Sequence, residues 1–266
     1  MPMPRNTFKH AIAEGRMQFG TWLMSGAPST AEAMGCCGFD FLVVDMEHVP
    51  IELPQAVEIL RTIAGTPASA VTRIPWNDMV MVKRALDGGA QTLMFPFVQD
   101  EHEAARAVAA TRYPPAGVRG VAGVHRASRY GTVSDYQRQA AGELCVIVQI
   151  ETIAALERLP AIAAVPGVDS IFIGPSDLSA SMGHLGNVGH PDVQAKLAHA
   201  AAEAKRLGKP CGIVGANPET VRRFLGYGYS WVALGSDMGL MTTRAQEWLG
   251  ELRDAKASPA GPRTAY

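Results

Sequence analysis

Short apolar or β-branched runs alternate along the chain with longer helical stretches, an alternation that predicts βα units around a parallel sheet. Eight runs occur, at residues 19–23, 41–45, 68–73, 91–96, 144–150, 170–173, 211–214 and 231–234. Between them, residues 54–62, 100–111, 191–207 and 218–225 read as helices, and Pro54, Pro191 and Pro218 suit a first helical turn, where no backbone N–H is needed. Eight such units in 266 residues match one closed (β/α)8 barrel, which commonly takes about 250 residues. A doubly wound sheet would use fewer strands and often place a glycine-rich phosphate loop after the first. The pairs Gly120/Gly123 and Gly212/Gly215 lack the full dinucleotide fingerprint and read as turn or packing glycines.

Two segments fall outside the units. Residues 113–141 are too long for an ordinary connection and carry Arg119, Arg126, Arg129 and Arg138, which reads as a functional lid or arm whose arginines either receive an acidic substrate tail or stay solvated. Residues 257–266 are small and proline-containing and read as a flexible tail, leaving 1–256 as the catalytic domain.

Composition narrows the function classes. With 47% hydrophobic and 18% charged residues the chain can bury a large core, and a net charge of -1 without a Lys/Arg run argues against nucleic acid as a partner. Residues 1–16 mix Lys9, His10, Glu14 and Arg16 among apolar residues, and no long uncharged run follows, so neither signal peptide nor membrane span is expected. Cys36, Cys37, Cys145 and Cys211 lack metal or disulfide spacing and read as buried thiols in a reducing, cytoplasmic compartment.

In such a barrel the chemistry gathers at the C-terminal ends of the strands. Strand alternation puts Cys145, Ile147, Gln149 and Glu151 on one face; if that face looks inward, Gln149 and Glu151 meet in the barrel mouth. Asp177 follows a Gly174-Pro-Ser turn off the neighbouring strand. Two carboxylates converging in a dry pocket are costly, and a divalent cation with oxygen ligands is the usual resolution. The plainer reading makes Glu151 a first-turn helix acid and Asp177 a helix cap. Arg73, ending the third run, could aim its fork of donors into the mouth as an oxyanion stabiliser, or merely pair with Asp45 or Glu47. Asp45 could orient the imidazole of His48 and raise its basicity, with Glu47 hydrogen-bonding behind them. Trp22 and Met24 suit core or rim packing as well as substrate contact.

With these residues assembled, the chain resembles the HpcH/HpaI aldolase family, metal-dependent aldolases acting on 4-hydroxy-2-oxoheptanedioate and 2-keto-3-deoxy sugar acids. The resemblance rests on Gly20-Thr-Trp22 with Ser25-Gly26, Asp45-Met-Glu47-His48, Arg73 followed by Pro75, Gln149-Ile-Glu151-Thr152 and Gly174-Pro-Ser-Asp177-Leu178. It implies that Glu151 and Asp177 bind Mg²⁺, Mn²⁺ or Co²⁺ with support from Gln149, and that Arg73 contacts the keto oxygen. It implies further that backbone N–H groups of Ser176 and Asp177 receive the pyruvate carboxylate, that Trp22 lines the substrate site, and that His48, helped by Asp45, moves the proton through a water. A hexamer, a trimer of dimers with exchanged C-terminal helices, is implied as well, which would put residues 238–256 on a partner. The arm departs from the family pattern: it reads Gly120-Val-Ala-Gly-Val-His-Arg-Ala-Ser-Arg-Tyr130, where related enzymes tend to carry a slightly longer stretch ending in Trp.

The expected reaction is cleavage of a 4-hydroxy-2-keto acid to pyruvate or hydroxypyruvate and an aldehyde, with oxaloacetate decarboxylation as a side activity. A Schiff-base mechanism needs a lysine at a strand top, and Lys9, Lys83, Lys196, Lys205, Lys209 and Lys256 all fall in helices or tails or before a strand. The alternatives are a malyl- or citramalyl-type acyl-CoA lyase on the same barrel and a ligand-binding barrel without turnover.

Overall fold

Each strand hydrogen-bonds to the next in parallel and the eighth returns to the first, so that the computed structural model, which describes residues 1–254, is a closed barrel. The strands are β1 (Gln18–Leu23), β2 (Phe41–Asp45), β3 (Ser69–Arg73), β4 (Thr92–Phe95), β5 (Cys145–Ile150), β6 (Ser170–Ile173), β7 (Cys211–Gly215) and β8 (Trp231–Ser236). Around them run α1 (Thr7–Ala13), α2 (Pro28–Cys36), α3 (Leu53–Ile63), α4 (Met79–Asp87), α5 (Glu101–Thr111), α6 (Tyr136–Glu143), α7 (Ile153–Glu157) and α8 (Leu159–Ala163). The ring is completed by α9 (Pro175–Ser181), α10 (Pro191–Arg206), α11 (Pro218–Tyr227) and α12 (Asp237–Asp254). Pro191 and Pro218 open their helices and Pro54 sits in the first turn of α3, as the missing N–H permits.

Alternation divides each strand between two cores. Outward residues such as Leu42, Val44, Leu93, Val146, Val148, Ile171 and Val232 pack under the helices. Inward residues, Trp22, Phe41, Val43, Val71, Met94, Cys145, Ile147, Phe172 and Trp231, fill the barrel. Burial on both faces is why these strands read as continuous apolar runs. Large rings fit inside because glycine faces them: a Cβ on Gly20 would lie 2.4 Å from the Phe41 ring, and one on Gly212 would lie 2.2 Å from Trp231. Gly212 is thus a packing glycine. At the other end of the barrel Asp237 closes the seam between β8 and β1, accepting from Met24 N at 2.7 Å and Ser25 N at 3.2 Å.

The N-terminal segment carries a helix that its charged composition concealed. Asn6 caps α1 by accepting from Lys9 N, and Phe8, Ala11 and Ile12 form its buried stripe. Phe8 closes the barrel base edge-on to Phe41 and Trp231, with centroids 5.1 and 5.3 Å away.

Residues 113–141 are not a lid over the strand ends of their own chain. They pack at the base, contributing a three-residue 3-10 turn (Arg126–Ser128) and the start of α6. Arg119, fully buried, pairs with Asp87 at 2.7 Å and lies over the Tyr113 ring at 4.5 Å. Arg126 donates to Gly88 O and Leu60 O, at helix ends that precede β4 and β3. These two arginines are therefore structural within the chain, whereas Arg129 and Arg138 are exposed. Cys145 and Cys211 are buried as expected, but Cys36 and Cys37, at the end of α2, are exposed; all four thiols are free. The expected tail, 257–266, lies outside the described residues. Among the described residues no helix is long and apolar enough to cross a membrane.

Because Phe8 joins the base of the inner core to α1, Phe8→Ala should lower unfolding free energy by about 3–5 kcal/mol, read as a shift of the urea midpoint. An unchanged midpoint would mean that α1 does not plug the barrel.

Candidate active site

The inward positions of β2, β3 and β5 end in polar residues. Asp45 and Arg73 are Cα partners in the β2–β3 register, so both side chains enter the barrel mouth side by side. Arg73 donates from Nε to Asp45 Oδ1 at 2.8 Å and from Nη2 to Asp45 Oδ2 at 2.6 Å, a buried bidentate pair. Its Nη1 stands 2.8 Å from Glu47 Oε2, an ionic contact whose angle makes no hydrogen bond. The guanidinium also lies over the Trp22 ring, 5.2 Å from its centroid. Trp22 and Asp45 thus fix the position and plane of Arg73, leaving hydrogens on both terminal nitrogens for other acceptors.

On β5, Gln149 and Glu151 face inward, as alternation requires. Gln149 Nε2 donates to Glu151 Oε1 at 3.1 Å, and Phe97 N donates to Glu151 Oε2 at 2.8 Å. Glu151 is only 4% exposed. Burial, with Glu47 and Asp177 adding like charge, pushes its carboxyl up to about 7 against the Phe97 N–H, which favours the anion. Glu47 is likewise shifted upward, by burial, although Arg73 opposes the shift. Gln149 Oε1 is buried without a hydrogen-bond partner among the described residues. Asp45, Glu47, Glu151 and Asp177 therefore gather near one buried guanidinium, Arg73, already committed to Asp45. Hard oxygen donors, excess negative charge and an orphaned amide oxygen suit a divalent cation at Glu151 and Asp177.

These groups open into a cavity of about 970 Å³, which Trp22, His48, Arg73, Gln149, Glu151 and Asp177 help to line. Ser176 lines it too, and of the sequence-expected site residues only Asp45, fully buried behind Arg73, does not; one expected contact is also absent. Asp45 receives Arg73 and the backbone N–H groups of Glu47 and His48, at 3.0 and 3.4 Å, not the imidazole of His48. His48 is exposed in the loop after β2. Its ring is therefore not oriented by Asp45; the carboxylate serves Arg73 instead. The pairing of Arg73 with both Asp45 and Glu47, weighed above as an alternative to an oxyanion role, is present. Asp177 does lie in the first turn of α9, but Gly174 is the cap residue, and Glu151 precedes α7, whose cap is Thr152.

One contributor, Phe97, has no sequence signal of its own, and one, Gly174, reads only as part of a turn. Phe97, at φ 54, holds a left-handed backbone that is rare for an aromatic residue, and its N–H meets Glu151. Gly174 gives Glu151 room: a Cβ there would lie 2.4 Å from Oε1. Among the described residues no lysine lines the cavity.

A (β/α)8 barrel with a carboxylate and guanidinium cluster at its C-terminal mouth has its polar groups where barrel enzymes place their chemistry. The chain belongs to the HpcH/HpaI aldolase/citrate lyase family, whose model matches residues 18–243. It is 51% identical over 247 residues to a 2-dehydro-3,6-dideoxy-6-sulfogluconate aldolase of Pseudomonas putida, covering 93% of this chain and 96% of that protein. It is 47% identical over 242 residues to a 5-keto-4-deoxy-D-glucarate aldolase of Salmonella arizonae, covering 91% and 94%. A crystal structure of a family member from Burkholderia cenocepacia superposes with TM-score 0.91 at 39% identity, covering 93% of this chain and 99% of that one. These two relatives, 51% and 47% identical and matched along nearly their full length, are named as aldolases, which favours that branch over a CoA-ester lyase or a barrel without turnover.

The raised Glu151 pKa sets a sign for stability in metal-free protein. Near pH 4.5 or below, the group is protonated in folded and unfolded chains alike and costs little. As pH rises toward about 7, the unfolded chain ionises freely while the folded one must ionise in a dry site, so stability falls, by up to about 3 kcal/mol. Urea unfolding in chelator across this range should show the decline in the wild type and a flatter profile in Glu151→Gln; parallel profiles would mean another group carries it.

Proposed function

We propose that the chain catalyses the metal-dependent, reversible retro-aldol cleavage of a 4-hydroxy-2-keto acid of the 2-keto-3-deoxy sugar acid type, giving pyruvate or a near relative such as hydroxypyruvate, and an aldehyde. The observation that carries this reading is the buried Glu151 carboxylate, raised to about 7 beside Glu47 and Asp177 at the mouth of the cavity. Glu151 and Asp177 hold Mg²⁺, Mn²⁺ or Co²⁺, with Gln149 supporting the site. When bound, that ion supplies Lewis-acid stabilisation of the enolate left by carbon–carbon cleavage.

Arg73, held flat by Asp45 and Trp22, aims its remaining N–H groups at the keto oxygen, where negative charge grows. Ser176 and Asp177 lie in the first turn of α9, where backbone N–H groups lack intrahelical acceptors and can receive the substrate carboxylate. His48 accepts the 4-hydroxyl proton through a water as the bond breaks. The substrates named for both relatives bear an anionic group at each end. Arg223, exposed on α11 and lining the same cavity, offers a positive group to the far end of such a molecule. The same enolate forms when oxaloacetate loses CO₂, so decarboxylation accompanies the aldol reaction. A cytoplasmic hexamer, a trimer of dimers with exchanged C-terminal helices, is the assembly we propose; the exposed Met241, Trp248, Leu249 and Leu252 of α12 support packing on a partner.

EDTA should abolish cleavage, and borohydride with pyruvate should leave no adduct by mass spectrometry; a pyruvyl-lysine would overturn the metal mechanism. Glu151→Gln and Asp177→Asn should each weaken Mn²⁺ binding in a barrel that remains folded by circular dichroism, and unchanged titrations in both would remove them from the metal site.

His48→Ala should slow aldol cleavage by about 10² to 10⁴ while sparing oxaloacetate decarboxylation, which has no 4-hydroxyl proton to move. Arg73→Lys and Asp45→Asn should instead slow both reactions, because Asp45 holds the guanidinium rather than the imidazole. If Asp45→Asn spares decarboxylation, the carboxylate acts through the histidine after all.

A further inference from the structure

We infer that His184 and His190, in the loop from α9 into α10, and Asp192, in the first turn of α10, form a second metal site, selective for a borderline transition-metal ion of the Zn²⁺ class. One ligand atom from each residue lies within 4.8 Å of the other two, the only such group of three His, Cys, Asp or Glu side chains among the described residues. The two imidazoles stack with centroids 3.6 Å apart and planes 16° from parallel. His184 Nε2 and His190 Nδ1 face the same oxygen, Asp192 Oδ2, at 3.9 and 3.7 Å. Zinc binds nitrogen and oxygen near 2.0–2.2 Å, so tetrahedral ligands lie about 3.4 Å apart; the two imidazole–carboxylate distances must close by roughly half an ångström, and a ring must turn out of the stack to bring both nitrogens, now within 4.8 Å of each other, onto one ion.

The loop can make that adjustment. Asp192 has a largely exposed side chain, that of His184 is partly exposed, and Gly183 and Gly186 take positive φ on either side of His184. His190 Nδ1 now accepts the Asp192 N–H at 3.2 Å, a long capping bond. An ion displacing it frees a first-turn donor, which water can satisfy at the exposed end of the helix.

Ligand chemistry separates the two sites. Imidazole suits zinc, copper and nickel, whereas the all-oxygen cluster at Glu151 and Asp177 suits magnesium and manganese. The sites also share a wall: Val188, Gly189 and Gln194, beside the two histidines, line the active-site cavity. An ion on His184, His190 and Asp192 therefore ties the loop end to α10 and stiffens that wall.

The test is calorimetric titration of Zn²⁺ into the Glu151→Gln protein, in which the carboxylate site is disabled, alone and with His184→Ala or Asp192→Asn added. His184 makes no cap, so its removal leaves α10 intact. One Zn²⁺ per chain is expected in Glu151→Gln, with at least tenfold weaker affinity in each double variant. In the Mg²⁺-saturated wild type, the imidazole NMR signals of His184 and His190 should shift on adding Zn²⁺. Absence of a Zn²⁺ event in Glu151→Gln, affinity unchanged by both added substitutions, or unmoved histidine signals would overturn the inference.

Discussion

Four carboxylates and one guanidinium meet at the mouth of this barrel, and the guanidinium is already spoken for. Arg73 is locked onto Asp45 through two short hydrogen bonds in a buried environment, where separating the partners would leave an uncompensated charge. What remains around Glu151 is negative: Glu47 and Asp177 raise the cost of its ionisation, and burial raises it further. The arrangement is satisfied either by protons or by a cation. Occupancy of that position by a divalent ion would favour the ionised form of Glu151 and supply the electrophile that an enolate requires.

The rest of the barrel makes this concentration of charge tolerable. Below the mouth the interior is dry and aromatic, with Trp22, Phe172, Trp231, Phe41 and Phe8 in successive contact down to the base. Trp22 ends that column and begins the site, since its ring also supports Arg73. Gly174 makes room for Glu151, and the left-handed Phe97 anchors it through its N–H.

Much of this was legible in the sequence because it depends on local periodicity. The run ending Gln149-Ile-Glu151 alternates with period two, which suffices to put both polar side chains on the inner face once the barrel closes. The Gly174-Pro-Ser-Asp177 turn announces itself by composition. What stayed undecided or hidden depends on register and on distant packing. Asp45 and His48 are close in sequence, yet Asp45 pairs with Arg73, 28 positions away, because strand register sets them side by side. The arm, residues 113–141, is rich in arginine, but only the tertiary positions of Asp87, Gly88 and Leu60 decide that Arg119 and Arg126 serve the base. The helix α1 did carry a signal, the Asn6 cap followed by Phe8, Ala11 and Ile12, obscured by the charged residues interleaved with them. Nothing local foretells that Phe97 lends its N–H to Glu151.

The central proposal is that Glu151 and Asp177 together would hold a divalent cation. Anomalous diffraction from crystals soaked in Mn²⁺ addresses it most directly, since manganese scattering locates the ion independently of activity. The account predicts the strongest peak within coordination distance of one carboxylate oxygen from each of Glu151 and Asp177. A strongest peak elsewhere, with those two side chains unliganded at saturating Mn²⁺, would contradict it.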